Sequence, residues 1–269
     1  MRVPFIKMHG LGNDFVVLDG RETRLPAMTE TAAAAIADRR KGIGCDQLIL
    51  LEASDNADFR MRIFNSDGGE VGACGNAARA VALLHGSPAE VETDGGLIRL
   101  EPGDGGASVD MGTPRFDWDA IPLAYAMDTL SMPLGWDELE NPAGVNVGNP
   151  HAIFFVPDCE AVPLDTLGPV IETDPVFPER VNVNVASIDN RHRIRLRVWE
   201  RGAGLTRACG TGACATAVAA MRRGLVEREV EVALPGGVLT IAWREGGPII
   251  MTGPAAEAFR GSFRWDDYA

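Results

Sequence analysis

The feature that most constrains the fold of this chain is an internal repeat. Residues 60–82 and 195–217 align without a gap at an offset of 135, and nine aligned positions are identical. Gly12-Asn13 and the apolar run after it resemble Gly148-Asn149 and its apolar run at an offset of 136. Two separated blocks with nearly one offset indicate a duplicated unit. The offset is about half of the 269 residues, so we expect two pseudo-symmetric domains.

Each copy of the repeat predicts a strand, a Gly-rich loop and a helix. Met61 and Ile63 alternate with arginines, as in a half-buried strand. The small-residue helices are predicted to begin at Cys74-Gly75 and Cys209-Gly210. The predicted start includes the preceding alanine in each copy, Ala73 and Ala208. The helices are predicted to end at His85-Gly86 and Arg223-Gly224, where a glycine follows a histidine or an arginine.

Most of the remaining chain predicts short strands. One further helix is expected from Glu30 to Arg40, capped by Thr29 and stopped by Gly42. The strands are expected at residues 97–100, 109–111, 230–234 and 238–243, and a Pro-containing crossover at residues 114–144. Strands that follow strands favour an α+β fold over a doubly wound sheet. We expect an N-terminal half of residues 1–115, joined by the tail 256–269, and a C-terminal half of residues 116–255.

Composition excludes several classes of protein. The chain has 25 basic and 38 acidic residues, a net charge of −13, which argues against a nucleic-acid binder. A pyridoxal Schiff base would have to use Lys7 or Lys41, the two lysines of the sequence. The sequence contains no C-x-x-C and no H-E-x-x-H motif. We therefore expect no cofactor and no metal.

The sequence also predicts a cytoplasmic protein. The N-terminus reaches polar residues too early for a signal peptide, and no run approaches the ~18 apolar residues of a membrane helix. The five cysteines are odd in number, which fits individual thiols in a reducing compartment.

Cys74 and Cys209 occupy the same place in the two copies, at the first turn of a helix. The helix N–H groups and dipole stabilise a thiolate there. One such cysteine is explained by packing, but two equivalent ones favour chemistry. Halves that close face to face would hold one thiol on each side of a substrate in a cleft. Inverting a stereocentre needs one base and one acid on opposite faces, and the helix N-termini would bind a carboxylate.

Several motifs, in their order and spacing, resemble those of the diaminopimelate epimerase family. The resemblance extends from residue 5 to about residue 253. The motifs are Met8-His9-Gly10-Leu11-Gly12-Asn13-Asp14-Phe15, Gly42-Ile43-Gly44-Cys45-Asp46-Gln47, Phe64-Asn65-Ser66-Asp67-Gly68, Ala73-Cys74-Gly75-Asn76, Gly148-Asn149-Pro150-His151, Glu200-Arg201-Gly202-Ala203-Gly204 and Ala208-Cys209-Gly210-Thr211-Gly212.

The resemblance implies a cofactor-independent isomerase that converts LL-2,6-diaminopimelate into the meso form, on the bacterial route to lysine and peptidoglycan. It implies a mixed, barrel-like sheet around a central helix in each half, with the active site in the cleft. It also suggests a homodimer. The small-molecule substrate would be the ligand, with neither nucleic acid nor membrane as a partner.

The resemblance also implies roles for individual residues. Cys74 and Cys209 would be the catalytic pair, one the thiolate base and the other the thiol acid, with roles exchanged in the reverse direction. His151 and Glu200 would set the protonation states of the thiols. Amide side chains both donate and accept hydrogen bonds, which suits a zwitterion. The implied substrate contacts are Asn13, Gln47, Asn65, Gly75, Asn76, Asn149, Asn182, Glu200, Arg201, Gly210 and Thr211.

Other hypotheses stay open from the sequence. One is another two-thiol isomerase of this architecture, such as a proline racemase, a hydroxyproline epimerase or a phenazine-pathway isomerase. A second is a cysteine-nucleophile hydrolase or transferase that uses one thiol with His151. A third is a non-catalytic amino-acid-binding protein. One residue departs from the family pattern, because Ala77 stands where a glycine is expected and the second copy keeps Gly212.

The remaining cysteines and histidines receive no catalytic role from the sequence. Cys45, Cys159 and Cys214 are predicted to pack in the core. His9, His85 and His192 stay unassigned.

Overall fold

The computed structural model of the chain describes residues 1–23, 25–72, 74–103 and 106–268. Two residues in the expected elements, Ala73 of the repeat and Ala269 of the tail, lie outside the described residues. The chain divides into a first unit, Met1–Asp110 with Gly253–Ala269, and a second unit, Met111–Thr252. The sequence prediction set the divisions at 115/116 and 255/256.

Strands predominate over helices in both units. The strands are β1 Arg2–Gly10, β2 Asn13–Asp19, β3 Gln47–Glu52, β4 Phe59–Asn65, β5 Glu70–Val71, β6 Ala89–Thr93, β7 Gly96–Gly103, β8 Gly106–Asp110, β9 Gly135–Trp136, β10 Leu139–Glu140, β11 Ala143–Asn146, β12 Pro150–Phe155, β13 Asn182–Asn190, β14 Arg193–Glu200, β15 Gly204–Thr206, β16 Glu229–Leu234, β17 Gly237–Trp243, β18 Ile249–Pro254 and β19 Ala256–Arg264. The α-helices are α1 Glu30–Ala37, α2 Gly75–His85, α3 Leu164–Glu172 and α4 Gly210–Arg222. The α+β class predicted from the sequence is confirmed.

The two units use the same strand scheme. In the first, the order is β19-β1-β2-β3-β4-β6-β7-β8, with β2/β3 and β4/β6 parallel. In the second, the order is β11-β12-β13-β14-β16-β17-β18, with β12/β13 and β14/β16 parallel. A mixed sheet with parallel pairs at matching places is the result expected of a duplicated unit.

The register repeats as well. Phe15 pairs with Gln47 in the first unit, and His151 pairs with Asn182 in the second. In the neighbouring antiparallel pairs, Ile49 of β3 lies opposite Ile63 of β4 in the first unit. Asn184 of β13 lies opposite Val198 of β14 in the second unit. The internal duplication is therefore present residue by residue in the sheets.

A buried helix occupies the core of each unit. Residues 75–82 of α2 are buried, and the helix packs against β1, β7, β8 and β19. In α4, Gly210 and residues 212–221 are buried, and the helix contacts β11, β12, β13, β14, β16 and β17. Alanine and glycine dominate both helices, which lets strands approach on several sides. The expected central helix is confirmed in both units.

Most of the predicted helix ends agree with the structure. Thr29 caps α1 by accepting a hydrogen bond from the Ala32 N–H at 3.1 Å. Gly86 follows α2 with a φ of 77°, and Gly224 comes shortly after α4 with a φ of 69°. Both conformations are the left-handed ones that favour glycine at helix ends.

The predicted extension of α1 to Arg40 was wrong, because the helix ends at Ala37. Asp38 adopts an extended conformation, and its carboxylate accepts hydrogen bonds from the Arg40 and Lys41 N–H groups. The chain then turns back so tightly that a Cβ on Gly42 would lie 2.2 Å from the Ala35 carbonyl oxygen.

Helix α3 was not predicted. It packs in a hydrophobic cluster of the second unit.

The three cysteines without an assigned role lie in the core. Cys159 belongs to the cluster that contains α3, and Cys45 lies in the cluster around α1. Cys214 is fully buried on α4. Core packing of these three cysteines is confirmed, and burial raises the pKa of Cys45 to about 11.

Candidate active site

Three of the predicted substrate residues, Asn13, Gln47 and Asn65, lie at one sheet edge of the first unit. β2 and β3 begin there because they are parallel, and the antiparallel β4 ends there. Gln47 lies opposite Asn65, and its Nε2 donates to Asn65 Oδ1 at 3.0 Å. Gln47 Oε1 is buried and has no hydrogen-bond partner in the described part of the chain. A buried acceptor of this kind suits a ligand donor.

The turn before Asn13 is strained. Leu11 and Gly12, between β1 and β2, have φ angles of 56° and 89°, as in a two-residue type I′ hairpin turn. A leucine in this left-handed region costs about 1–2 kcal/mol. Such strain is typical of functional sites, and here it sets the position of Asn13 at the start of β2.

Hydrogen bonds join Asn13 to the beginning of α2. Asn76 Nδ2 donates to Asn13 Oδ1 at 3.2 Å, and Arg79 Nη2 donates to Asn76 Oδ1 at 2.9 Å. Arg79 is fully buried. Cys74 is the N-cap residue of α2, with φ −149° and ψ 110°, and Gly75 is the first helical residue. The structure thus places Asn13 and Asn76 in contact, close in sequence to Cys74.

A charged cluster that the sequence analysis did not identify supports the same edge. Lys7 donates to Asp14, and Arg39 bridges Asp14 and Asp46. Asp46 Oδ2 in turn accepts from Asn13 Nδ2 at 3.0 Å. Burial raises the pKa of Asp14, but hydrogen bonds from Arg39 and Lys7 outweigh it and hold that pKa well below its usual range. For Asp46, the sequence signal was its position directly before Gln47.

Cys209 is the N-cap residue of α4 in the second unit. The Gly212 N–H donates to its Sγ at 3.3 Å, and Thr211 Oγ1 lies 3.5 Å from the same sulfur. Burial raises the pKa of this thiol, the charge of Glu200 raises it further, and the bonds from Thr211 and Gly212 lower it only in part. The predicted lowering of the thiol pKa by the helix N-terminus is therefore wrong for Cys209, because burial and the charge of Glu200 outweigh the helix hydrogen bonds, and the thiol form is favoured at neutral pH.

Glu200 is the last residue of β14 and interacts with Cys209. Burial raises the pKa of its carboxyl group, although hydrogen bonds with Thr206 and Cys209 lower it in part. Thr206 Oγ1 donates to Glu200 Oε1. Of the two residues predicted to set thiol protonation, Glu200 is the one that interacts with Cys209.

The turn after Glu200 is held by two buried polar side chains. Asn182 Oδ1 accepts from the Arg201 N–H at 3.0 Å, and Asn182 Nδ2 donates to the Pro150 carbonyl at 2.8 Å. Glu172 accepts from Trp199 Nε1 at 2.7 Å and from the Gly202 N–H at 3.1 Å. Asn182 thus contacts backbone in this structure, and Glu172, at the end of the unpredicted α3, carried no sequence signal.

His151 is fully buried in the second unit. Its Nε2 lies 3.0 Å from Asn149 Oδ1, and its Nδ1 lies 2.9 Å from Asn184 Nδ2. Burial lowers the pKa of His151 to about 3, so the ring is neutral at physiological pH. The sequence analysis missed Asn184, although its spacing of two from Asn182 on a strand predicts the same face.

Gly212 explains the departure at Ala77. A Cβ on Gly212 would lie 2.7 Å from Asn184 Oδ1 and 3.2 Å from Cys209 Sγ, so a side chain does not fit. At an offset of 135 the partner of Asn184 is Ile49 and that of Gly212 is Ala77. In the second unit Gly212 leaves room for Asn184. At the two equivalent positions of the first unit the residues are Ala77 and Ile49.

Two further findings concern cofactors and membranes. Within residues 1–23, 25–72, 74–103 and 106–268, no group of three or more His, Cys, Asp or Glu side chains is arranged to hold a metal ion. Lys7 forms an ion pair with Asp14, and Lys41 is exposed. None of the described helices has the length and apolar character needed to cross a bilayer.

Comparison with known proteins decides the family. The profile described as Diaminopimelate epimerase matches residues 5–116 and 144–257. The chain belongs to the diaminopimelate epimerase family. A protein of Erythrobacter litoralis named diaminopimelate epimerase is 71% identical over 269 residues, which cover 100% of both chains. The family predicted from the motifs is confirmed.

Solved structures show the fold more broadly. A phenazine biosynthesis protein of the PhzF family from Bacillus anthracis matches this diaminopimelate epimerase family member with a TM-score of 0.70 and 16% identity, covering 98% of this chain and 99% of the other. A hydroxyproline epimerase from Agrobacterium vitis matches with a TM-score of 0.65 and 16% identity, covering 97% and 92%. At such identities these similarities concern the fold alone.

Proposed function

We propose that this protein interconverts LL- and meso-2,6-diaminopimelate by moving a proton at the α-carbon with Cys74 and Cys209, in the supply of lysine and peptidoglycan precursors. The observation that carries the proposal is the equivalence of the two cysteines. Each is the N-cap residue of the buried helix of its unit, and both have extended backbone conformations. This match, in a member of the family, favours a thiol pair over a single nucleophile.

The proposed reaction needs one thiolate and one thiol. The thiolate removes the α-hydrogen as a proton and becomes a thiol, which leaves an electron pair on the α-carbon. The other thiol donates its proton to the opposite face and becomes a thiolate. The backbone N–H groups at Gly75-Asn76 and Gly210-Thr211 would bind the carboxylate and stabilise the charge that develops there. The reverse reaction starts with the protonation states of the two cysteines exchanged.

The electrostatics of Cys209 support its role as the acid in the resting protein. Burial and the neighbouring Glu200 raise the pKa of its thiol, so Cys209 carries the proton to be delivered. Cys74 would then be the thiolate that begins the reaction.

The polar groups support an amino-acid zwitterion as the substrate. Gln47 Oε1 is a buried acceptor without a partner among the described residues, and an ammonium group would donate to it. Arg201 provides a cation for a carboxylate, next to Glu200. The cytoplasmic location and the homodimer stay predictions.

Solvent isotope exchange tests the proposal. Incubating the reduced protein with LL-diaminopimelate in heavy water should form the meso isomer with deuterium at the inverted α-carbon, because the delivered proton comes from a solvent-exchangeable thiol. Mass spectrometry and chiral chromatography measure the two quantities. Absence of both epimerisation and exchange would refute the proposed reaction.

Glu200→Gln is expected to shift the pH dependence to lower pH. The carboxylate raises the pKa of the Cys209 thiol, so its removal stabilises the thiolate and lowers that pKa. The limb of the kcat/KM profile that falls as Cys209 loses its proton should therefore begin at lower pH. Thr206→Val is the control, because it removes a donor to Glu200 but keeps the charge. An unchanged limb in Glu200→Gln would contradict the assigned role.

A further inference from the structure

Two buried polar side chains and one glycine of the second unit stand where the first unit has apolar side chains. His151, Asn184 and Gly212 occupy the repeat positions of Phe15, Ile49 and Ala77. His151 and Asn184 are fully buried, as are the three apolar counterparts. Burying two polar side chains in a sheet that is stable with phenylalanine and isoleucine indicates a function beyond packing.

In the structure the Asn184 amide faces two backbone carbonyls with its Nδ2, and its Oδ1 is buried without a hydrogen-bond partner among the described residues. Nδ2 lies 3.3 Å from the Ala152 carbonyl and 3.4 Å from the Asn182 carbonyl. Carbonyl oxygens only accept hydrogen bonds, so the atom facing them is the NH2 group. That NH2 group also lies 2.9 Å from His151 Nδ1, which must therefore be an acceptor.

The tautomer of His151 follows from this contact. The ring is neutral, so with Nδ1 as the acceptor the proton is on Nε2. The Nε2–H group donates to the oxygen of Asn149 at 3.0 Å. The Asn149 amide is thereby oriented with Oδ1 toward the histidine. Its Nδ2 forms no hydrogen bond within the described residues and remains available as a donor.

We propose that Asn184 is a positioning residue that acts through His151 to present the NH2 group of Asn149 to a carboxylate of the substrate. This inference rests on the proposed function for the identity of the substrate. In a zwitterion the ammonium group only donates, so an amide NH2 is matched by a carboxylate oxygen. Asn13, the repeat partner of Asn149, is also oriented with its oxygen toward a protein donor, Asn76, although its Nδ2 already donates to Asp46 Oδ2. The two units thus orient equivalent amides with different side chains.

The tautomer is tested first, independently of any substrate. A long-range proton–nitrogen correlation spectrum of the protein, which has four histidines, should show the His151 ring with a proton on Nε2 and none on Nδ1. Comparison with His151→Phe assigns the signals. In Asn184→Ile, which introduces the residue of the first unit, Nδ1 loses its hydrogen-bond donor, so the nitrogen signal of Nδ1 should shift from its wild-type position. A proton on Nδ1 in the wild-type protein would overturn the proposal.

Asn149→Asp then tests what faces the ligand. Aspartate keeps an acceptor for the His151 Nε2–H group but replaces the NH2 donor with an oxygen. KM for diaminopimelate should rise by about 100-fold or more, because a charge-assisted hydrogen bond becomes a repulsion between carboxylates. An unchanged or lower KM would show that an ammonium group lies there, and would overturn the proposal.

The double variant His151→Phe/Asn184→Ile separates positioning from folding. Replacing both partners by the apolar pair of the first unit should restore the thermal stability lost in Asn184→Ile alone. KM should nevertheless stay about tenfold above wild type, with a smaller change in kcat. Thr216→Val, which removes another buried polar group of the second unit, is the control and should leave KM unchanged. A wild-type KM in the double variant would overturn the proposal.

Failure of the proposed reaction would look different from failure of this inference. In that case the wild-type protein would show no isotope exchange, whereas the His151 tautomer would still be measured. Exchange in the wild type together with an Nδ1-protonated ring would overturn the positioning role alone.

Discussion

Cys74→Ser and Cys209→Ser should each reduce epimerisation by about 10³-fold or more, since each removes one of the two proton carriers. A serine hydroxyl is a far weaker acid than a thiol and supplies neither the base nor the matched acid. The two residues act as a unit, so the double variant should be little worse than either single variant. Initial rates in both directions, with deuterium incorporation at the α-carbon, measure the effect.

The pattern across variants distinguishes this reaction from a single-nucleophile mechanism. A hydrolase or transferase would need only one thiol and would tolerate one of the two serine substitutions. Cys159→Ala is the matched control because this cysteine is buried in the α3 cluster. It should lower the melting temperature and retain activity. Retention of full activity in either serine variant would contradict the two-thiol mechanism.

The repeat predicted much of the fold because it encodes local signals twice. The beginnings of α2 and α4 and the glycines after them follow from small residues and helix caps that are contiguous in the sequence. Helix α3 lacks such signals, since its N-cap residue is Pro163 with no side-chain cap, and Pro169 lies inside it. The offset of 135 nevertheless maps α3 onto residues 29–37, which contain α1. The repeat therefore contained the information that local propensity lacked.

The site was predictable only where one segment carries the signal. Asn13, Gln47 and Asn65 stand in recognisable motifs, and the sheet register places them at one edge. For Asn184 the spacing of two from Asn182 indicates only the same strand face, whereas its contact with His151, 33 residues away, appears in the structure alone. Arg39 and Asp14, 25 residues apart, form part of the charged cluster for a similar reason. Hydrogen bonds between distant segments appear only once the strands are paired.

Gly212→Ala is expected to lower kcat/KM by about 100-fold, whereas Ala77→Gly at the equivalent repeat position should change it little. The new Cβ would lie 2.7 Å from Asn184 Oδ1, too close for ordinary packing. Asn184 cannot rotate away without losing its bond to His151. The alternative is a shift at the beginning of α4, which would move Cys209, and a displacement of ~1 Å can cost about 100-fold in rate.

The free energy of unfolding should not follow kcat/KM in the two variants Gly212→Ala and Ala77→Gly. Overpacking costs about 1–3 kcal/mol, but alanine is better than glycine in a helix by about 1 kcal/mol, so Gly212→Ala should lose about 0–2 kcal/mol of stability. Ala77→Gly reverses the helix preference and should lose about 1 kcal/mol while it keeps its activity. Thermal unfolding and kcat/KM, measured on both variants, give the comparison. A fully active Gly212→Ala protein would show that the contact between Asn184 and the beginning of α4 does not control the position of the thiol.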